Sequence, residues 1–285
     1  MNGAKILSIA AERPAKTMSN DELPGKFDID DAWIQSRTGI ATRGVANDEE
    51  TLIEMSAGAA SKAIAAAGID PATIDLTIVA TSSNPITTPG IAPPLTNRLS
   101  LTSGAFDIMA ACAGFCYSLN VAADSIRVGS ARNVLVVGAE RITDRMDWND
   151  RNTCYLFGDG AGAAIVAATD VEDDGIGPVV WGSDGALADY IAQPIDSPYL
   201  QMDGQAVFKW AITEVAGIAR EACEKAGIEP KDLAAFVPHQ ANLRIVESVA
   251  RSLGVGESTV VADDVRYSGN TSAASIPLAI ARMKD

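Results

Sequence analysis

The 285-residue chain is short of positive charge, of histidine and of cysteine. Against 37 Asp and Glu it sets 22 Lys and Arg, for a formal net charge of -15. This balance argues against nucleic acid as a partner, since such binding depends on clustered Lys and Arg neutralising phosphates. No eighteen or so apolar residues run together without charge, Gly or Pro, so no membrane span is expected. Met1 to Ala11 holds one short apolar run followed by charged residues and proline, without the basic flank, long hydrophobic stretch and cleavage site of a secretory signal. A cytoplasmic protein is expected. The four cysteines, Cys112, Cys116, Cys154 and Cys223, are too few for a disulfide scaffold of this size and read as reduced thiols. Cys112 and Cys116 share a helical face, but no second Cys-Cys or Cys-His pair follows. No metal site is expected, and Cys116, Cys154 and Cys223 read as structural. No Walker A sequence and no G-x-S-x-G elbow occurs. Gly158-Asp-Gly-Ala-Gly-Ala163 matches the G-x-G-x-x-A dinucleotide pattern, yet it precedes a β-branched run instead of opening a helix, and reads as a tight turn into a core strand.

What is present is material for a large core: 47% of the side chains are hydrophobic. Glu50 to Gly68 carries Leu52, Met55, Ala59 and Ile64 at helical spacing, with Gly68 as a C-terminal stop. Leu76 to Ala80 reads as a buried strand, followed by Ala105–Ala110 as strand, Gly114–Val128 as helix, Asn133–Gly138 as strand and Ala163–Ala168 as strand. This alternation indicates an α/β sheet with largely parallel strands. A segment is also repeated. Lys62-Ala-Ile-Ala-Ala-Ala-Gly-Ile-Asp-Pro71 leads into Leu76–Ala80, and Glu221-Ala-Cys-Glu-Lys-Ala-Gly-Ile-Glu-Pro230 leads into Leu233–Val237, an offset of 227 − 68 = 159. Applied to Cys112, that offset lands on Thr271, beside Asn270. The two loops are then equivalent in two pseudo-symmetric halves and meet at their junction, where ligand sites form.

Three polar residues stand at such loops. Cys112, in Met109-Ala-Ala-Cys-Ala-Gly-Phe115, follows a strand and starts a helix, where oriented N–H groups favour thiolate over thiol. Taken alone, a cysteine among alanines reads more simply as a small core residue. His239, the only histidine, lies in Val237-Pro-His-Gln-Ala-Asn242 at a strand end, where a neutral imidazole can donate to a developing enolate; a capping or core role competes with this. Asn270, in Tyr267-Ser-Gly-Asn-Thr-Ser-Ala273, offers an amide that donates to an oxyanion without titrating, and an N-cap or turn role is the plainer alternative.

The combination Ala111-Cys-Ala-Gly-Phe115, Phe157-Gly-Asp-Gly-Ala-Gly162, Pro238-His-Gln-Ala-Asn242 and Gly269-Asn-Thr-Ser-Ala273 resembles the β-ketoacyl-acyl carrier protein synthase III family. Further similarities span nearly the whole chain: Ala32-Trp-Ile-Gln-Ser-Arg-Thr-Gly-Ile40, Pro89-Gly-Ile-Ala92, Gly182-Ser-Asp-Gly185 and Tyr199-Leu-Gln-Met-Asp-Gly204. The resemblance implies a duplicated thiolase-like α/β fold, a five-layer α-β-α-β-α arrangement with two mixed sheets. It places the nucleophilic cysteine in an N-terminal half, 1–170, and the His and Asn in a C-terminal half, 171–285. It implies a homodimer with a Cys112, His239, Asn270 triad. Acyl-CoA and malonyl-acyl carrier protein are the implied substrates, with no cofactor, no nucleic acid and no membrane. By the same resemblance Trp33 stacks on the CoA adenine, Arg37 and Arg151 line the nucleotide end of a tunnel, and Asn242 holds pantetheine or a water. Lys209, Arg244 and Arg251 match positions where the acidic carrier protein docks, and Thr87 and Thr88 fall where a residue from the dimer mate closes the acyl pocket.

Two departures stand out. Relatives continue beyond Lys284-Asp285 with two strands and a glycine-rich loop, and are longer between Asp189 and Tyr199; the expectation is that residues are omitted from the chain. A specialised relative with another primer or acyl acceptor remains an alternative. A catalytically silent partner subunit is another, although such subunits replace the nucleophile. A thiolase would need a second cysteine near the C-terminus.

Overall fold

The structure, a computed structural model, describes residues 2–25 and 27–284. Its elements are β1 (Gly3–Glu12), β2 (Thr17–Ser19), α1 (Asp31–Thr38), β3 (Thr42–Gly44), α2 (Leu52–Ala67), β4 (Leu76–Ala80), α3 (Ala92–Arg98), β5 (Gly104–Ile108), α4 (Gly114–Arg127), β6 (Asn133–Arg141), β7 (Asp159–Thr169), β8 (Ile191–Ala192), β9 (Gln201–Met202), α5 (Gly204–Ala226), β10 (Ala235–Phe236), α6 (Leu243–Leu253), β11 (Val260–Val261), α7 (Val265–Ser268) and α8 (Ser275–Lys284). Two 3-10 turns, Ala111–Ala113 and Ser272–Ala274, lead into α4 and α8.

The apolar runs assemble into a mixed five-stranded sheet of order β1-β7-β6-β4-β5. Parallel pairing joins β4 to both β5 and β6, and β7 runs antiparallel to β6 and β1. Because side chains alternate along a strand, β6 serves two cores at once. Leu135 and Val137 pack with Leu52, Met55, Ala59 and Ala63 of α2, while Val134 and Val136 pack with Phe115, Ala122 and Ile126 of α4. Each fully buried Leu, Val, Ile or Phe of this kind contributes about 1.5–3 kcal/mol. The expected strand Leu76–Ala80 is found as β4, and β7 extends well beyond the expected Ala163–Ala168 because its glycine-rich start pairs along β6.

Those glycines answer the dinucleotide-like pattern. Gly160 and Gly162 lie inside β7, and a Cβ on Gly162 would stand 2.6 Å from Pro277 Cβ of α8. A Cβ on Gly138 of β6 would overlap the carbonyl oxygen of Ala273. Bare backbone at both places lets α8 and the turn before it lie directly on the sheet.

The repeat is visible in the chain trace. Gly68 and Gly227 close α2 and α5 in the same left-handed conformation (φ 66° and 67°). Each is followed by a 3-10 turn, Pro71–Thr73 or Pro230–Asp232, and then a strand, β4 or β10. In the second copy the strand is shorter than the expected Leu233–Val237; Ala235 and Phe236 pair in parallel with Val260 and Val261. Farther along, the 3-10 turn Ala111–Ala113 matches Ser272–Ala274 at an offset of 272 − 111 = 161, two more than the 159 read from the glycines. The residue equivalent to Cys112 is therefore Ala273, with Asn270 three positions earlier.

Candidate active site

A cavity of about 1240 Å³ opens between the segments that follow β4, β5 and β6 and the pair α5 and α6, and Cys112, His239 and Asn270 all line it. The turn Ser272–Ala274 is what draws them together. Cys112 sits in the 3-10 turn between β5 and α4, after Ala111 at φ 45°, and its Sγ lies 3.7 Å from the Ser272 hydroxyl. Asn270 is pinned by its backbone, donating to the Leu156 carbonyl (2.8 Å) while its own carbonyl accepts from Gly158 N–H (3.1 Å). Its side-chain Oδ1 accepts from Ser272 N–H at 2.9 Å, so Nδ2 is the end left to donate. His239 follows β10, and its Nδ1 lies 2.8 Å from the Ser275 hydroxyl. That oxygen also accepts from Gln240 N–H at 3.3 Å, and with its hydrogen turned to Nδ1 the ring would carry its proton on Nε2.

The electrostatics of these groups are set by burial. Desolvation lowers His239 to about 4, so the imidazole is neutral at physiological pH, as expected from the sequence. Desolvation raises Cys112 to about 11; the Ser272 hydrogen bond pulls the other way, and the nearby Glu140 carboxylate adds to the rise. The expectation of a resting thiolate is thus corrected. Dehydration of the sulfur raises this thiol and works against the thiolate. Glu140 itself, at the end of β6, is fully buried and raised to about 7 by desolvation.

Trp33, Arg37 and Arg151 line the same cavity. Asp30 caps α1 through Trp33 N–H at 2.7 Å, and Arg37 follows one turn later. The Arg37 and Arg151 guanidinium carbons stand 4.6 and 5.4 Å from the Trp33 ring centroid, and Tyr155 meets that ring edge-on at 5.6 Å. Both arginines are exposed, which marks this group as the mouth. Asn242 lines the cavity too, and its Oδ1 caps α6 by accepting from Ile245 N–H at 2.9 Å. Lys209 on α5 and Arg244 and Arg251 on α6 are exposed and stand outside the cavity lining. Arg244 lies 5.4 Å from the ring of Phe208, a lining residue, so the basic face adjoins the opening. Thr87 and Thr88 are exposed in the loop after β4 and do not line this chain's cavity.

Sequence reasoning missed Ser272, Ser275 and Glu140. The first two were legible as serines two and five places after Asn270; the third as a carboxylate closing the apolar run Val134–Ala139. The apolar wall, with Phe208, Val215, Ile245 and Val249, was not foreseen either. Among the described residues no three His, Cys, Asp or Glu side chains gather as a metal site, and no helix is long and apolar enough to cross a membrane.

Two family models, described as 3-oxoacyl-[acyl-carrier-protein] synthase III and its C-terminal part, match residues 106–185 and 223–285. The chain is 46% identical over 285 residues to β-ketoacyl-[acyl-carrier-protein] synthase III 4 of Streptomyces coelicolor, covering 99% of this chain and 90% of that one. It is 44% identical over 290 residues to the mycobacterial β-ketoacyl-[acyl-carrier-protein] synthase III of Mycobacterium avium, covering 98% and 86%. Among solved structures it is similar to the priming β-ketosynthase from the R1128 polyketide biosynthetic pathway, with TM-score 0.94, 44% identity and coverage of 99% and 87%. It is also similar to 3-oxoacyl-(acyl carrier protein) synthase III from Pseudomonas aeruginosa PAO1, with TM-score 0.92, 38% identity and coverage of 98% and 88%. These likenesses bear out the thiolase-like fold expected from the motifs.

Proposed function

The chain belongs to the 3-oxoacyl-[acyl-carrier-protein] synthase III family of condensing acyltransferases, and we propose that it joins a primer acyl-CoA to malonyl-acyl carrier protein through an acyl thioester on Cys112. The observation that carries this reading is the convergence of Cys112, His239 and Asn270 on one cavity. Acyl transfer to sulfur splits one difficult condensation into two easier steps. The malonyl thioester then enters, and its carbonyl oxygen accepts hydrogen bonds from His239 Nε2–H and Asn270 Nδ2–H. As CO2 leaves, negative charge grows on that oxygen. Neutral donors fixed in place stabilise the charge in the transition state more than in the ground state. The resulting carbanion attacks the acyl group on Cys112 and frees a β-ketoacyl carrier protein.

At the mouth, Trp33 offers a face for the adenine, Arg37 and Arg151 offer charge to its phosphates, and Asn242 stands beside the pantetheine path. Lys209, Arg244 and Arg251 form the face offered to the acidic carrier protein. The thioester is substrate and no cofactor is required. A cytoplasmic homodimer fits this reading: β5 ends the sheet with Gly104 and Phe106 exposed, and Thr87 and Thr88 stand outward, where they can reach a partner's acyl pocket. The likeness to a polyketide priming ketosynthase supports a second reading, in which the primer is longer or branched and the pathway specialised. Turnover of acetyl-CoA against longer acyl-CoAs separates the two, strict acetyl preference opposing the second.

The direct test is mass spectrometry after incubation with acyl-CoA alone. An acyl adduct on Cys112 that disappears in Cys112→Ala is expected; an adduct on another residue, or none, removes the assignment. His239→Ala and Asn270→Ala are each expected to slow CO2 release from malonyl-carrier protein by about 10²–10³-fold, with the Cys112 adduct still forming.

A further inference from the structure

Glu140 is a fully buried carboxylate that the condensation described above does not use. It ends β6 behind the nucleophile and gathers donors from two loops. Ser82 N–H donates at 3.2 Å, the Ser83 hydroxyl at 2.5 Å and the Thr81 hydroxyl at 3.3 Å, all from the segment after β4. From the other side come Ala273 N–H at 3.5 Å and the Ser272 hydroxyl. Ser272 is the residue whose oxygen also faces Cys112 Sγ at 3.7 Å. A thiol, a hydroxyl and a carboxylate are therefore neighbours, and the backbone of the middle residue is held by the Asn270 Oδ1 bond to its N–H.

The geometry points to a proton relay from Cys112 through Ser272 to Glu140 that frees the nucleophilic sulfur for acyl transfer. The inference rests on the acyl-thioester reading given above. The Cys112 Sγ–H proton passes to Ser272 Oγ as the Ser272 hydrogen passes to a Glu140 oxygen. The sulfur forms its bond to the acyl carbon, the bond from that carbon to the CoA sulfur breaks, and the departing CoA thiolate takes the proton back along the same path. Glu140 ends as a carboxylate and CoA leaves as a thiol.

Charge decides between this route and its rivals. Losing the proton to solvent would leave two buried anions side by side, Cys112 thiolate and Glu140 carboxylate. Passing it to Glu140 keeps a single negative charge in the pocket throughout. Passing it to His239 would create a buried imidazolium, and burial makes that ring the weaker base of the two: its pKa lies at about 4, against about 7 for Glu140. His239 Nδ1 is moreover engaged by Ser275. Among the described residues the titratable side chain that acts on Glu140 is Cys112; its hydrogen-bond partners, from the segment after β4 and the turn before α8, are hydroxyls and backbone N–H groups.

The experiment is rapid-quench measurement of Cys112 acylation by acetyl-CoA, without malonyl-carrier protein, between pH 5.5 and 9 (a range set about the Glu140 value). A shared proton gives the wild-type enzyme a rate that rises to about pH 7 and then levels, since the singly protonated pair is the reactive one. Ser272→Ala, which removes one hydroxyl from a folded turn, is expected to lower the rate at pH 7 by about 10²-fold and to replace the plateau with a continuous rise. Glu140→Gln should match it, and the double variant should be no slower than either single one. A wild-type rate that climbs about tenfold per pH unit throughout, or a Ser272→Ala enzyme that keeps both rate and plateau, overturns the relay while the acyl-enzyme reading stands. Absence of any Cys112 adduct in the wild type overturns both.

Discussion

Ala111 and Ser272 share one uncommon backbone conformation, φ 45° in each, at the first position of two equivalent 3-10 turns that face each other across the active site. Neither is glycine, so the left-handed geometry is held against a steric cost of about 1–2 kcal/mol at each position. What holds it is tertiary. Gly138 admits the Ala273 carbonyl onto the sheet, and Asn270 Oδ1 grips Ser272 N–H. The pair of bent turns is what aims the Cys112 sulfur and the Ser272 hydroxyl at one another.

A first prediction follows from that strain. Ala111→Gly relieves it and is expected to raise stability by up to about 1 kcal/mol, a shift of about 2 °C in Tm for a protein of this size. Cys112 acylation should slow at the same time, because a freer turn holds the sulfur less firmly. Ala111→Val should lower Tm sharply, since a β-branched residue tolerates positive φ poorly. A thermal melt of the three proteins checks the order, and a lower Tm for the glycine variant would show that the turn is not strained.

The triad was legible in the sequence because each member sits in a short motif at the end of an apolar run, and strand ends are where α/β proteins build sites. The turn that unites its members was not. Ser272 and Ser275 have nothing in sequence to set them apart from ordinary turn and helix-start residues; α8 lying on β7 through Gly160 and Gly162 is what brings them to the site. The protonation of Cys112 escaped for a related reason. A helix N-terminus is visible in sequence, whereas dehydration depends on which walls close over the sulfur. The segment from Val171 to Asp203 was equally unreadable. Its 3-10 turns and two-residue strands, such as Ile191–Ala192 against Gln201–Met202, are too short to carry a periodic pattern.

Trp33 supplies the second prediction. If its ring carries the adenine, Trp33→Ala should raise KM for acyl-CoA by about 10- to 100-fold, the range of one base-aromatic stack. The same variant should act almost normally on an acyl N-acetylcysteamine thioester, which has no nucleotide. Steady-state acylation with both donors makes the comparison. An equal loss for both would place Trp33 in structure instead, through its packing with Tyr155.

The third concerns the basic face of α6. Arg244 and Arg251 are seven residues apart, two turns, and both are exposed. On a chain of net charge -15, reversing both to Glu should reduce kcat/KM for malonyl-carrier protein by about tenfold or more at low salt, an effect that shrinks as ionic strength rises. Cys112 acylation by acyl-CoA should change little. A loss confined to the acyl-CoA half-reaction would locate the carrier-protein surface elsewhere.

Glu140 also leaves a signature in stability that is independent of turnover. Burial raises its folded pKa from the usual 4.5 to about 7. A raised carboxyl contributes stability that is fully present below about 4.5 and is lost as pH climbs through about 7. The interval corresponds to roughly 3 kcal/mol at 1.36 kcal/mol per unit. His239 works in the opposite sense: its depressed pKa removes stability as pH falls from 6.5 toward 4, so the wild-type curve alone mixes the two. Comparison with Glu140→Gln isolates the carboxyl, because His239 titrates in both proteins and cancels. The glutamine amide sets a constant offset where it meets the Ser82 N–H. On top of that offset, the variant should gain on the wild type by up to about 3 kcal/mol between pH 4.5 and 7 and by nothing more above. Urea melts across that range measure the difference. A difference that stays flat with pH would mean that the folded pKa of Glu140 stays at its ordinary value or below, and would leave it too weak a base to take the Cys112 proton.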